Sequence, residues 1–258
     1  MASRAERSMS FGAIAEDYDR LRPGPPQAAV DWLVPAGCRV AVDLGAGTGL
    51  LTRALARKVP EVVAVEPDPR MAAVLRARSV EAGIHGIRVA QGRGEEIPLP
   101  DASADGVFAS SAWHWLDPQR APREIARVLR DGGRLGVIWT GRDRSVGWVR
   151  EVEAVRDNTA RPASGTDDAW ARHRREVGLP DGLFGDVESE SFLFSRRMTI
   201  DDFIAMLATY SGALTASPQE LAAALTRARA VLDRQFPDAA EIDVPMRSRC
   251  LRAARLAR

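Results

Sequence analysis

The chain has 258 residues, enough at roughly 100–200 residues per domain for one elaborated domain or two small ones. Hydrophobic residues make up 45 % and charged residues 28 %, a globular composition that argues against wholesale disorder. Lysine plus arginine (36) nearly cancels aspartate plus glutamate (35), leaving +1, so a basic face for nucleic-acid phosphates is not the main design feature; Lys58 is the single lysine.

The opening segment MASRAERSMSFGAIAEDYD lacks the apolar run of a signal peptide, and no stretch approaches the roughly 18 apolar residues of a membrane span. The expectation is a cytoplasmic protein with no membrane or nucleic-acid partner. Cys38 and Cys250 lie far apart and form no CxxC pair, which suggests two buried thiols in a reducing compartment and no metal site.

Short apolar runs then alternate with helical segments. Residues 38–44 (CRVAVDL), 61–66 (EVVAVE), 86–91 (GIRVAQ), 105–110 (DGVFAS) and 134–140 (RLGVIWT) read as strands. Residues 50–58, 68–82 and 118–130 read as helices, with Asp68 as N-cap, Pro118 at the first helical position and Gly132-Gly133 as a stop. Strand–helix alternation at this spacing predicts an α/β fold with a parallel sheet covered on both faces. After residue 141 the pattern changes. Residues 147–157 look helical, 158–185 irregular, 187–197 strand-like, 200–210 and 217–235 helical, with Ser217-Pro218 opening the last, and 242–252 a late strand. Its arginines, at 247, 249, 252, 255 and 258, fit a solvated strand face and chain end better than a nucleic-acid tail. The expected division is cap helices over 1–35, a core over 36–145, a helical insertion or lid with one strand over 146–240, and a final strand and tail over 241–258, all in one structural domain.

The segment VDLGAGTG, residues 42–49, falls where the first strand ends and a helix begins. Its glycines allow a sharp turn and close approach to a ligand, and the helix start offers free N–H groups. The dinucleotide fingerprint needs a small residue where Leu50 stands, so a nicotinamide cofactor is disfavoured. Asp43 at the strand end instead suits a cationic group such as an α-amino group. Glu66 ends the second strand, where a carboxylate accepts from vicinal ribose hydroxyls. The turn GRGEEIPLPDASADGVFAS, residues 92–110, lies where an adenine can be received.

Together VDLGAGTG, VAVEPD, GRGEEIPLPDASAD and LRDGGRL resemble class I S-adenosylmethionine-dependent methyltransferases with a seven-stranded Rossmann-like sheet. SSAWHWLD (110–117), IWTGRDRS (138–145) and FGAIAEDYDRLRP (11–23) resemble a branch that includes trans-aconitate methyltransferase-like small-molecule enzymes. The resemblance implies a mostly parallel sheet flanked by helices, of order 3-2-1-4-5-7-6 with the seventh strand antiparallel, and a C-terminal helical lid. It implies S-adenosyl-L-methionine as cofactor. Asp43, Gly45, Ala46 and Gly47 would surround the methionine moiety and Glu66 would bind the ribose. Pro67 and Met71 would pack beside the adenine, with Arg93, Gly94 and Glu95 at its edge. Ser110 would lie under the sulfonium end, and Tyr18 would close over the site. The chain departs from the branch at Arg93, at RPGPP (22–26) and at Thr140.

Methyl transfer from a sulfonium is an in-line displacement, so proximity and alignment do most of the catalysis. A carboxylate acceptor needs no base, whereas a hydroxyl benefits from one. His114 is the catalytic candidate, against a structural or substrate-positioning place beside Trp113 and Trp115, and it is also counted among the substrate-binding residues. Trp113 and Trp115 could wall an apolar acceptor pocket, one of the two being core, and Trp113 is taken as the substrate-binding one. Arg22, Arg142 and Arg144 could pair with a substrate carboxylate, and Met206, Tyr210 and Leu214 could line a lid. The expected activity is methyl transfer to a small molecule, most simply at oxygen, by a monomer or homodimer. N- or C-methylation, and a non-methylating reaction on the same scaffold, remain open. A DNA amine methyltransferase would carry Asn/Asp-Pro-Pro-aromatic where SSAWHW stands.

Overall fold

A computed structural model describes residues 9–156 and 177–257. A 3-10 turn (Met9–Ile14) leads into α1 (Ala15–Leu21) and α2 (Gln27–Leu33). Strands β1 (Val40–Leu44), β2 (Glu61–Val65), β3 (Ile87–Ala90), β4 (Ala104–Ser110) and β5 (Leu129–Arg142) then alternate with helices α3 (Leu50–Ala56), α4 (Pro69–Glu81) and α5 (Ala121–Val128). The chain continues through α6 (Gly147–Arg156), β6 (Glu188–Thr199), α7 (Ile200–Ala208), α8 (Ser211–Leu214), α9 (Pro218–Gln235) and β7 (Glu241–Ala254).

The seven strands form one sheet of order β3-β2-β1-β4-β5-β7-β6. Neighbours from β3 to β5 are parallel, and β7 runs antiparallel to both β5 and β6. The near-continuous apolar runs are explained by burial on both faces. Ala41, Val62, Phe108 and Ile138 join one cluster with residues of α2 and α3, while their neighbours Val42, Val63, Val107 and Val137 join another with residues of α5. A third cluster packs α7 and α9 onto the ends of β6 and β7 through Phe203, Met206, Val231 and Val244.

Local signals set the helix starts. The Asp68 side chain accepts from Arg70 N–H ahead of Pro69, and Ser217 forms a reciprocal capping box with Glu220. The helix expected over 118–130 is shorter at both ends. The Asp117 carboxylate accepts from the N–H groups of Gln119 and Arg120 and holds a turn there, so the helix starts at Ala121. It ends at Val128 because Leu129 already pairs with Ala104, and Gly132-Gly133 lie in an irregularity of β5, not at a helix stop. Most of the segment expected to be irregular, residues 158–176 of it, lies outside the described residues, as does the last residue of the helix expected over 147–157. Late arginines are paired internally: Arg247 with Asp143, Arg252 with Glu188 and Arg255 with Asp131.

Phe108 shows how tightly the sheet centre is fitted. It is fully buried opposite Gly136, and a Cβ at Gly106 or Gly136 would come within 2.5 or 2.6 Å of its ring. Phe108→Ala is expected to lower stability by about 3–5 kcal/mol and Gly136→Ala by about 1–3 kcal/mol in denaturant unfolding. The double variant should lose less than the sum, because the added methyl enters the space left by the ring.

Candidate functional site

A cavity of ≈ 990 Å³ opens at the carboxyl ends of β1, β2, β4 and β5. That is the upper end of the range for ligand pockets and gives room for two small molecules side by side. Parallel strands place all their loops on this edge, which is why residues so distant in sequence meet there.

At the β1–β2 end the glycine turn is pinned to β2. Val65 C=O accepts from Gly45 N–H (2.9 Å) and Ala46 N–H (3.1 Å). Gly45 has φ +66°, and a Cβ there would sit 2.7 Å from Ala112 Cβ. Glu66 is 6 % exposed; its two oxygens accept from Gly47 N–H (2.8 Å) and Asp68 N–H (2.9 Å). Each oxygen keeps a further lone pair, so the carboxylate has capacity for two more donors. Burial raises the Glu66 pKa, with those N–H groups opposing. Pro67, Met71, Tyr18 and Ser110 also line this cavity, as do Arg93, Gly94 and Glu95. Glu95 accepts from Asp117 N–H (2.7 Å), which ties the 92–96 turn to the segment after His114.

Asp43, in β1, and Ala46, in the turn itself, are absent from the lining. Asp43 is 1 % exposed; Oδ2 accepts from the Thr52 hydroxyl (2.5 Å), while Oδ1 is buried with no hydrogen-bond partner. Burial pushes its carboxyl up to about 7, the Thr52 bond opposing and the Glu66 charge adding. An orphaned buried oxygen beside a glycine turn fits a cationic or hydrogen-bond-donating ligand group.

The β5 end is built on Glu153, a residue that the sequence reading did not single out. Glu153 is 1 % exposed and bonds Arg142 (Nε 2.6 Å, and Nη2), Arg144 (3.1 Å) and Arg156 (2.9 Å). Burial disfavours its charge, but the three guanidiniums outweigh that and hold its pKa below the usual range. Three guanidiniums thus converge on one buried carboxylate. A signal existed: Glu153 stands four residues after Val149, on the buried stripe of α6, where an acid needs a partner. Arg22 adds another cation, its Cζ 3.7 Å from the Tyr210 ring centroid and 5.2 Å from that of Tyr18. Arg142 lies 4.4 Å from the Tyr210 centroid.

The aromatic candidates separate. Trp113 is 4 % exposed and packs in the core, so Trp115 is the tryptophan of this pair that lines the cavity. Phe11 bridges Tyr18 (5.7 Å between centroids) and Trp115 (6.2 Å), closing the cavity from the N-terminal side. His114 is exposed at the rim with its ring 4.5 Å from that of Trp115. Of the three lid candidates, only Tyr210 lines the cavity; Met206 is fully buried with Phe203 in the core. No cluster of His, Cys, Asp and Glu able to hold a metal occurs among the described residues, and no described helix is long and apolar enough to cross a membrane.

Residues 42–137 match the family described as methyltransferase domain. An uncharacterized methyltransferase of Mycobacterium tuberculosis is 40 % identical over 230 residues, 89 % of this chain and 88 % of that protein. A malonyl-[acyl-carrier protein] O-methyltransferase of Methylococcus capsulatus is 34 % identical over 134 residues, 49 % of this chain and 48 % of that one. Among solved structures, a putative type II methyltransferase from Anaeromyxobacter dehalogenans superposes with a TM-score of 0.62 at 25 % identity, covering 90 % of this chain and 97 % of the other.

Removing the charge of Glu153 should expose what it offsets. Glu153→Gln leaves three guanidiniums around a neutral group, and stability should fall by about 3–5 kcal/mol. Because the folded pKa of Glu153 is depressed, its contribution is complete above about 4.5 and is lost as pH falls through the folded value. The gap between wild type and variant should therefore be full at neutral pH and close in acid, as read by denaturant titrations across pH.

Proposed function

This chain belongs to the class I methyltransferases, and from that premise we propose that it uses S-adenosylmethionine to methylate an oxygen of a small molecule. One observation carries the reading: a single cavity is acidic at one end and cationic at the other. Glu66 follows β2 and Arg142 ends β5, three interstrand steps away, about 14 Å.

The acidic end fits the cofactor. Glu66, with its spare lone pairs, would receive the ribose hydroxyls. Asp43, with its orphaned oxygen, would answer the ammonium of the methionine moiety beside Gly45, Ala46 and Gly47. Pro67, Met71 and the Arg93–Gly94–Glu95 turn would flank the adenine, Ser110 would lie under the sulfonium end, and Tyr18 would cover it. When bound, the cofactor supplies a methyl group already activated on a sulfonium. The chain's own residues orient that group, exclude water and present the acceptor.

The cationic end supports an oxygen acceptor. Arg22, Arg142 and Arg144 repel an ammonium and attract an anionic or electron-rich oxygen. The O-methyltransferase named among the relatives points the same way. His114 and Trp115 would wall the acceptor's entry, with His114 placed to exchange a proton at the rim. The helices after residue 146 would form the lid that brings Tyr210 to the site.

Calorimetry with S-adenosylmethionine, S-adenosylhomocysteine and NADH tests the cofactor. The first two should bind and NADH should not, and Glu66→Ala should weaken binding at least about tenfold, two hydrogen bonds to a buried carboxylate being lost. Failure of both sulfur compounds to bind would sink the reading. Asp43 adds a pH signature. Its carboxyl ionises at about 7, so affinity should rise with pH through 7 and fall by up to about tenfold per unit below it. Asp43→Asn should abolish that dependence and most of the affinity. It should also raise thermal stability above pH 7, because a folded carboxyl with a raised pKa loses stability as pH climbs toward it.

A further inference from the structure

Tyr210 sits between α7 and α8, on the cavity wall made by the end of β5 and by α6. Its oxygen is buried and has no hydrogen-bond partner, and Nη1 of Arg22 is orphaned in the same way. A buried phenol normally finds a partner within the protein. The surroundings of this one are cationic. Arg22 and Arg142 pack over the ring at 3.7 and 4.4 Å, and Arg156 lies 5.9 Å from its centroid. Arg196 of β6 is close enough to be influenced by its charge, and Glu153 is the carboxylate that acts on it. Burial works against ionisation of the phenol, but Arg142 and Arg22 outweigh it and hold the pKa below its ordinary value of 10.0. Two guanidiniums stacked on the ring of a phenol whose oxygen has no partner form, on the wall of the cavity, a site that stabilises a phenolate.

We propose that Tyr210 is the proton acceptor of the methyl-transfer reaction, with Arg22 and Arg142 as the cations that hold its phenolate. This rests on the methyltransferase reading above and narrows its acceptor to a hydroxyl acidic enough for a phenolate to deprotonate, a phenol or an enol. The acceptor O–H bond breaks and the proton passes to Tyr210 Oη. The freed electron pair on the acceptor oxygen forms the bond to the methyl carbon. The carbon–sulfur bond breaks and its pair stays on sulfur, which becomes a neutral thioether. Tyr210 ends neutral and releases its proton to water.

The chain contains two tyrosines, Tyr18 and Tyr210, so the proposal is measurable without cofactor or acceptor. In full-length Tyr18→Phe protein, ultraviolet phenolate absorbance reports Tyr210 alone. The expected midpoint is below about 10. It should rise on adding Arg22→Met and stay low with Arg22→Lys, which keeps the charge, circular dichroism showing each variant folded. A midpoint at or above 10, or one indifferent to the charge at position 22, overturns the proposal. The second arm uses S-adenosylmethionine with a labelled methyl group and a panel of phenols, enols and carboxylates. Tyr210→Phe should lower kcat for hydroxyl acceptors by about 10²-fold or more while leaving S-adenosylhomocysteine affinity unchanged. Undiminished turnover, or methylation confined to carboxylates, overturns it. If the wild type fails to bind S-adenosylhomocysteine, the cofactor reading fails instead, and the tyrosine titration still decides the state of Tyr210.

Discussion

The Glu66 carboxylate is the tie on which the β1–β2 side of the site depends. Its oxygens take one N–H from the turn after β1 and one from the turn after β2. With the Val65 carbonyl holding Gly45 and Ala46, the glycine turn has no freedom to drift from the sheet edge. An apolar residue at this position would leave two N–H groups unpaired, at about 1–3 kcal/mol for each that is buried. The geometry that orders the loop also spends only half of the acceptor capacity of Glu66. A loop-fixing acid and a ribose-binding acid are therefore compatible in one side chain.

Glu153 does the corresponding work at β5 with side chains in place of backbone. Backbone N–H groups carry partial charge, so Glu66 can be satisfied and leave the site acidic. Guanidiniums carry full charge, so the three on Glu153 bring whole cations to this end of the cavity. The overall charge of +1 conceals this division. Composition counts ions over the whole molecule, whereas chemistry in the cavity follows a few of them placed where water is scarce and the dielectric is low.

Much of the fold was legible because it is local. Apolar runs of four to seven residues bounded by glycine and acid turns mark β1 to β4, and Asp68 and Ser217 mark helix starts through their own side chains. The strand order came from the resemblance carried by four motifs. The end of α5 was misread because Leu129 leaves the helix to pair with Ala104, a contact that nothing in the adjacent sequence announces. The β1–β2 end of the site was readable since its residues lie in turns directly after strands. The β5 end was not. Arg22, Arg142, Glu153 and Tyr210 come from four separate elements, and side chains that close a cavity across nearly 190 positions leave no periodic trace. The choice between Trp113 and Trp115 failed for a simpler reason: in a 3-10 turn, neighbours two apart face different surroundings, and which of them is buried is set by packing.

One short element joins the two ends. Helix α1 is seven residues long, too short to be stable alone in water. It is held by contacts to both halves of the protein. Asp19 pairs with Arg53 of α3 at 2.7 Å, Arg20 pairs with Asp202 of α7 at 2.6 Å, and Arg196 of β6 donates to the carbonyls of Arg20 and Leu21. Tyr18 and Arg22 are four residues apart, so they leave the same side of this helix and its C-cap. Tyr18 lies against Phe11 over the glycine-turn side, and Arg22 lies on Tyr210 at the arginine side. The acidic and cationic ends thus share a cover whose order depends on the core and the C-terminal helices being docked together. A substitution that loosens either latch acts on both ends at once, because α1 has no independent stability with which to hold one of them closed.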